Sequence, residues 1–248
     1  IGVVGPVRTG KSTFIKRFME LAVLPAMEDE SLKAVSTDEL PQSAGGKTVM
    51  TTEPKFIPKE AVQITLGDGI QAKVRLIDCV GYMVDGAAGH VENGEERMVK
   101  TPWSEKEIPF TQAAQIGTRK VIGDHSTIGI VVTTDGSVGE LKRSAYIDAE
   151  KQTVDELKKL GKPFILLLNS TKPYSDETLK LAEQLAADYG VTVLPVSCEQ
   201  LKKEDIFHIL ESVLKEFPVT QLDFHIPKWL EVLPATHWLK TQVIDMAR

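Results

Sequence analysis

Gly5-Pro6-Val7-Arg8-Thr9-Gly10-Lys11-Ser12 follows the apolar run at residues 1–4 and leads straight into Thr13-Phe14-Ile15-Lys16-Arg17-Phe18. The spacing G-x-x-x-x-G-K-S suits a loop whose backbone N–H groups converge on a polyphosphate, with glycine where a Cβ would block close approach. Lys11 then reaches the β- and γ-phosphates, and Ser12 offers its hydroxyl to Mg²⁺. A helix predicted from residue 11 to about 24, with apolar Phe14, Ile15, Phe18, Leu21 and Ala22, directs the positive end of its dipole at the same anion. Strand, glycine-rich turn and helix in this order predict a P-loop NTPase fold. Its cradle is expected to comprise Gly5, Pro6, Val7, Arg8, Thr9, Gly10, Lys11, Ser12 and Thr13.

Working outward, residues 25–46 show no apolar periodicity and are expected to form a mobile surface segment. Gly46-Lys47-Thr48-Val49-Met50-Thr51-Thr52-Glu53-Pro54 follows, with Pro54 holding the end extended. A threonine hydroxyl beside the phosphates can complete the Mg²⁺ shell and report the γ-phosphate, and Thr51 and Thr52 are best placed for this. Residues 54–66 and 71–78, joined by Gly67-Asp68-Gly69, predict a hairpin. The second strand ends at Asp78-Cys79-Val80-Gly81. An apolar strand ending in Asp brings a carboxylate to the sheet edge to hold the metal's water shell, and the Gly81 N–H can bond the γ-phosphate. Tyr82 stands where related hydrolases carry a water-orienting glutamine; since tyrosine is a poor base, intrinsic turnover is expected to be slow.

From Tyr82 to Pro109 the chain reads as irregular, an enlarged switch region able to carry a partner surface. Beyond it, helices are expected at 110–122, 144–160, 176–189 and 205–217, and strands at 126–134, 164–168 and 191–196. Alternation at this rhythm implies an α/β domain over residues 1–217. Its sheet is mostly parallel with one antiparallel edge strand, and helices lie on both faces. After Pro218 the pattern changes. Trp229, Trp238, Pro227, Pro234, His225 and His237 read as a linker or the opening of a following region at 218–248, the histidines as polar tips on a packed segment.

Composition narrows the function. With 29 Lys and Arg against 35 Asp and Glu, and a net charge of -6, the 248-residue chain lacks the electrostatic footprint of a nucleic-acid binder. Cys79 and Cys198 lie in apolar contexts without C-x-x-C spacing, which suits inert core thiols in a reducing cytosol. The apolar runs are of strand length, short of the roughly 20 residues of a membrane helix. No signal peptide is visible, and a start at Ile1 inside the first expected strand points to a piece of a longer protein.

Gly5 to Ser12, Thr51 and Thr52, Asp78-x-x-Gly81, Asn169 to Lys172 and Ser197-Cys198 occur in the order and spacing of the translation-factor-like (TRAFAC) P-loop GTPases. Those proteins read guanine with N-K-x-D. Here Asn169-Ser170-Thr171-Lys172 places a lysine where the aspartate belongs. Each lost charge-assisted bond to the base is worth about 1.5–3 kcal/mol, at least tenfold in guanine preference, and a cation facing guanine's donors opposes binding further. ATP is therefore the expected nucleotide, with Asn169, Lys172, Ser197 and Cys198 around the base. The metal set is Ser12, Asp78 and Thr52, and the catalytic set is Lys11, Thr51, Thr52 and Arg8. Arg8 sits where some relatives use an asparagine to hold a catalytic K⁺, so its guanidinium can replace that ion. The other readings are a slow GTPase-type switch controlling partner binding, and a nucleotide-binding structural protein without chemistry.

A more specific resemblance rests on Asp38-Glu39-Leu40-Pro41-Gln42-Ser43, Thr51-Thr52-Glu53-Pro54-Lys55-Phe56, Asp78-Cys79-Val80-Gly81-Tyr82, Thr101-Pro102-Trp103 and Ile116-Gly117-Thr118-Arg119-Lys120-Val121-Ile122. Across essentially its whole length the chain resembles the stage IV sporulation protein A family, ATPases that build the basement layer of the bacterial endospore coat. The resemblance implies a cytoplasmic mother-cell protein that hydrolyses ATP with Mg²⁺ and polymerises into a static layer on the forespore outer surface. It also implies a small amphipathic peptide as membrane anchor, peripheral membrane association through that partner only, and other spore coat proteins docking on the polymer. The family's phosphate-loop lysine, sensor threonines and metal aspartate fall on Lys11, Thr51/Thr52 and Asp78. Its members continue with middle and C-terminal regions.

Overall fold

The computed structural model describes residues 1–41, 53–65, 69, 71–87, 91–92, 95–218 and 227–247. The chain divides into two compact units, residues 1–217 and 218–248. In the first, strand β1 (Gly2–Val4) enters the phosphate loop and helix α1 (Lys11–Phe18), which continues through a widened turn at Met19–Val23 and a tight one at Leu24–Ala26 containing Pro25. Helix α2 (Glu30–Asp38) precedes β2 (Lys55–Thr65) and β3 (Gln71–Asp78). Four short strands follow: β4 (Val91–Glu92), β5 (Glu95–Glu96), β6 (Met98–Thr101) and β7 (Ser104–Pro109). Next come α3 (Phe110–Lys120), β8 (Gly129–Thr134), α4 (Ile147–Lys159), β9 (Phe164–Asn169), α5 (Asp176–Tyr189), β10 (Val193–Val196) and α6 (Lys203–Lys215). The second unit holds α7 (Lys228–Glu231) and α8 (Trp238–Ala247), where His237 stacks on Trp238 with ring centroids 6.0 Å apart. His225 lies outside the described residues.

The main sheet runs β10-β9-β8-β1-β3-β2, parallel throughout except for β2, which pairs antiparallel with β3 as expected. Both faces are buried, which explains why β8 and β9 read as continuous apolar runs rather than alternating ones. Val3, Ile130, Val132, Ile165 and Leu167 pack on one side with Phe14, Ile15 and Phe18 of α1 and Ile206, Ile209 and Val213 of α6. Val4, Val131, Leu166 and Leu168 pack on the other with Val154 and Leu157 of α4 and Ala182 and Leu185 of α5. Edge strand β10 is bonded to β9 through the Thr192 and Val196 carbonyls, leaving Pro195 between them facing outward without an N–H to offer a further strand.

Two expectations need correction. Residues 30–38 form a helix, not an irregular segment. Asp29 caps it, its carboxylate accepting from the Ser31 and Leu32 N–H groups at 2.8 and 3.1 Å. Leu32 and Val35 are exposed, so the helix carries no inward apolar stripe for periodicity to detect; Lys59 pairs with Glu39 at its end at 2.9 Å. The span after Tyr82 is not irregular throughout either. β4 pairs with β5, and β6 pairs with β7, in small antiparallel sheets. Arg97 lies over the Phe110 ring at 4.4 Å and Lys120 over Trp103 at 5.7 Å.

Candidate nucleotide site at the carboxyl edge of the sheet

Register aligns the ends of the parallel strands. Val3 is level with Asp78 and Ile130, Thr134 with Asn169, and Asn169 with Val196. The chain leaves β1 for β2 and β3 on one side and later for β8, β9 and β10 on the other, so the crevice at such a crossover opens beyond β1, where the phosphate loop lies. Gly5, Arg8 and Gly10 have φ of 129°, 62° and 97°, a succession that winds backbone N–H groups toward one point. Arg8 is the only non-glycine among the described residues in that left-handed region. Thr9 is buried, its hydroxyl donating to the Pro6 carbonyl at 3.0 Å, and Thr13 lies in the first turn of α1.

Lys11 is buried, with Nζ donating to the Pro6 and Gly5 carbonyls at 2.5 and 3.3 Å. Burial holds the ammonium below the usual lysine range, against the raising influence of the Cys79 thiol and Asp78. Ser12 Oγ donates to Asp78 Oδ2 at 3.2 Å, joining the start of α1 to the end of β3. Asp78 Oδ1 is buried without a hydrogen-bond partner among the described residues. Burial raises the Asp78 carboxyl, opposed by Lys11 and the Ser12 hydroxyl. An orphaned carboxylate oxygen beside a serine hydroxyl fits a hydrated Mg²⁺, which takes one or two carboxylates plus substrate phosphates rather than an all-protein cage. No group of three or more His, Cys, Asp or Glu side chains among the described residues is placed to hold a metal by itself.

Gly81 closes the cradle. A Cβ there would lie 2.0 Å from the Gly5 carbonyl oxygen and 2.7 Å from Lys11 Nζ, and φ is +92°. Its neighbour Tyr82 donates its N–H to the Gly5 carbonyl at 3.3 Å and accepts from the Val7 N–H at 2.9 Å. Gly81→Ala is expected to lift this segment off the loop, lowering phosphate release about 10²-fold and stability by about 1–2 kcal/mol. Activity within threefold of wild type, with thermal unfolding as the control, would show that the contact is unimportant.

Tyr82 does not stand where a water-orienting side chain would. Its ring is buried and its hydroxyl is taken up by Glu156 Oε2 on α4.

On the other flank Asn169, nearly fully buried, donates from Nδ2 to the Thr9 carbonyl at 2.9 Å and accepts at Oδ1 from the Cys198 N–H at 3.0 Å. It thus ties the phosphate loop to the Ser197-Cys198 turn. A Cβ on Gly10 would lie 2.3 Å from Nδ2, so glycine is required for that bond. The Cys198 side chain belongs to the core, and burial pushes its thiol up to about 12; the Cys79 thiol rises to about 11 for the same reason. Lys172 is exposed, its N–H held by Ser170 Oγ at 3.0 Å. Thr51 and Thr52 lie outside the described residues, so their relation to the cradle is not placed.

Sequence reasoning missed the polar knot behind this corner. Asp135 accepts the Ser137 N–H and hydroxyl at 2.8 and 2.6 Å and the Thr178 hydroxyl at 3.3 Å, and Ser137 Oγ accepts the Thr171 N–H at 2.9 Å. Burial alone would raise the Asp135 carboxyl; the bonds from Ser137, Ser170 and Thr178 bring it below the usual range. Asp135 one residue past a strand was its only sequence signal.

Residues 1–218 match the model of the stage IV sporulation protein A ATPase domain. The chain belongs to the stage IV sporulation protein A family. It is 52% identical to stage IV sporulation protein A of Bacillus subtilis (strain 168) over 97% of this chain and 49% of that protein. To the Bacillus anthracis protein it is 52% identical over 96% of this chain and 49% of the relative, and to that of Clostridioides difficile (strain 630) 51% over 98% and 50%. The chain spans about half the length of these stage IV sporulation protein A relatives. Among the described residues no helix is long and apolar enough to cross a membrane.

Proposed function

We propose that this chain hydrolyses the β–γ phosphoanhydride bond of ATP, and that in the full-length protein hydrolysis drives self-assembly into the static basement layer of the endospore coat. The single observation that carries the catalytic reading is the convergence of Lys11, the Ser12–Asp78 pair with its orphaned Oδ1, and Gly81 on one wound loop. Lys11 would neutralise phosphate charge, Ser12 and Asp78 would hold Mg²⁺, and the Gly81 N–H would contact the γ-phosphate. Bound Mg²⁺ supplies further charge neutralisation on the phosphate oxygens. Thr51 and Thr52 would sense the γ-phosphate, with Thr52 on the metal. Lys172 at the position of a guanine-reading aspartate supports ATP as the nucleotide. The partners that go with this reading are other copies of the chain, a small amphipathic membrane-anchoring peptide and other spore coat proteins, on the forespore outer surface in the mother-cell cytoplasm.

Light scattering of the full-length protein with ATP and with a non-hydrolysable analogue tests the coupling. Equal assembly with both would contradict it. GTP displacing ATP as well as ATP analogues do would instead favour a GTPase-type switch.

Arg8 contributes in the same reading. A left-handed conformation costs a non-glycine residue about 1–2 kcal/mol, a strain retained where function needs it. Arg8→Ala is expected to lower kcat for ATP about 10²-fold. Arg8→Gly should be equally slow yet at least as stable as wild type. Unchanged turnover of Arg8→Ala at saturating ATP would remove Arg8 from catalysis.

A further inference from the structure

We infer that Glu156 on α4 is a positioning residue for hydrolysis, acting through the Tyr82 hydroxyl to hold Gly81 against the phosphate loop. The inference rests on the reading of residues 5–12 and 78–81 as the site of ATP cleavage. Gly81 has no side chain, so the direction of its N–H is set by what anchors the chain on either side. Upstream that anchor is Asp78, in register with β1. Downstream it is Tyr82, the first side chain after Gly81, and it is tied down in three ways.

Its N–H and carbonyl pair with Gly5 and Val7 of the phosphate loop. Its ring is buried in a small apolar cluster with Val7, Val84, Ala87, Tyr146 and Ala149. Its hydroxyl donates to Glu156 Oε2, while Glu156 Oε1 accepts from Arg119 Nε of α3 at 2.9 Å. The apolar cluster holds the ring laterally but is non-directional, leaving its depth open. The phenol–carboxylate bond is directional and sets that depth, and with it the lie of residue 81 over the Gly5 carbonyl. Arg119 orients the carboxylate from the surface, its side chain 59% exposed against 16% for Glu156. Helices α3 and α4, neither of which carries a phosphate ligand in the reading above, are thereby connected to the γ-phosphate contact.

Steady-state ATP hydrolysis by the chain, with thermal unfolding measured alongside, tests this. Tyr82→Phe keeps the ring and removes only the hydroxyl. It is expected to lower kcat about tenfold with KM for ATP within about twofold, since misplacing a group that acts late costs rate rather than binding. Glu156→Ala should match it, and the double variant should be no slower than either single one. Glu156→Gln keeps a carbonyl acceptor for the phenol and should return kcat to within about threefold of wild type.

A Tyr82→Phe enzyme with unchanged kcat, or a Glu156→Gln enzyme as slow as Glu156→Ala, overturns the inference. If Tyr82→Phe does not fold, the two Glu156 variants decide by the same criteria. Wild type and Lys11→Ala run in parallel separate the two levels. Absence of phosphate release from wild type removes the ATP site itself and the inference with it. An active wild type beside an unaffected Tyr82→Phe removes only the role of Glu156.

Discussion

Lys11→Ala is expected to lower phosphate release from ATP by about 10²–10³-fold, the loss usual when a charge that stabilises a transferring phosphoryl group is removed. The ammonium is buried at the carboxyl edge of the sheet, bonded to the Gly5 and Pro6 carbonyls and near Asp78. Those carbonyls belong to a loop whose winding is set by Gly5, Arg8 and Gly10, by the Thr9 hydroxyl and by the Asn169 tie, none of which involves the lysine side chain. The variant is therefore expected to fold. Burial disfavours the Lys11 charge while the Gly5 and Pro6 carbonyls and Asp78 each lose a partner, so a cooperative thermal transition is expected of the variant. Phosphate release and a thermal melt on the same preparation check both halves. Turnover within tenfold of wild type would mean that the loop does not bind the phosphates that are cleaved.

Glu150→Ala is expected to destabilise the fold by about 3–5 kcal/mol, the usual cost of removing one partner of a buried ion pair. That corresponds to a fall of roughly 6–20 °C in thermal midpoint for a domain of this size. Glu150 is fully buried on α4. It receives both guanidinium nitrogens of Arg143 at 2.7 Å, the Tyr189 hydroxyl at 2.8 Å and the Thr133 hydroxyl. One carboxylate thus joins β8, α4, α5 and the turn before α4. Alanine would leave the Arg143 charge, with its side chain only 19% exposed, without its counter-charge. Arg143→Met/Glu150→Met should lose less than Glu150→Ala alone, because replacing both partners leaves no buried charge. Denaturant unfolding of the three proteins measures this, and a loss under 1 kcal/mol for Glu150→Ala would show that the pair is not a fastening point.

Much of the architecture is legible without coordinates because its signals are local. Residues 164–168 and 126–134 read as buried strands, and strands form at Phe164–Asn169 and Gly129–Thr134, since both faces of the sheet are covered; Gly161 and Gly190 mark helix ends with left-handed φ of 61° and 60°. The same reasoning is blind where an element has no inward stripe. Helix α2 is mostly exposed and rests on a cap and an ion pair, β4 and β5 are two residues each and too brief for alternation to register, and the consecutive charged residues Glu105, Lys106 and Glu107 mask it in β7.

The sequence by itself determined that a glycine-rich loop of phosphate-loop spacing lies between the first strand and first helix, and that Asp78, Gly81 and Asn169 follow at strand ends. Both follow from spacing, because chain order and a parallel sheet together put strand ends on one edge. Only the tertiary structure decided what those side chains touch. Asn169 is consumed in tying Thr9 to Cys198, and Asp78 has one oxygen on Ser12 and one with no partner among the described residues. The Tyr82 hydroxyl donates to Glu156 on α4. Spacing along a chain fixes which backbone ends meet, but side-chain direction depends on which distant element packs behind it. Glu156, 74 residues beyond Tyr82, has no local signature that could reveal that contact.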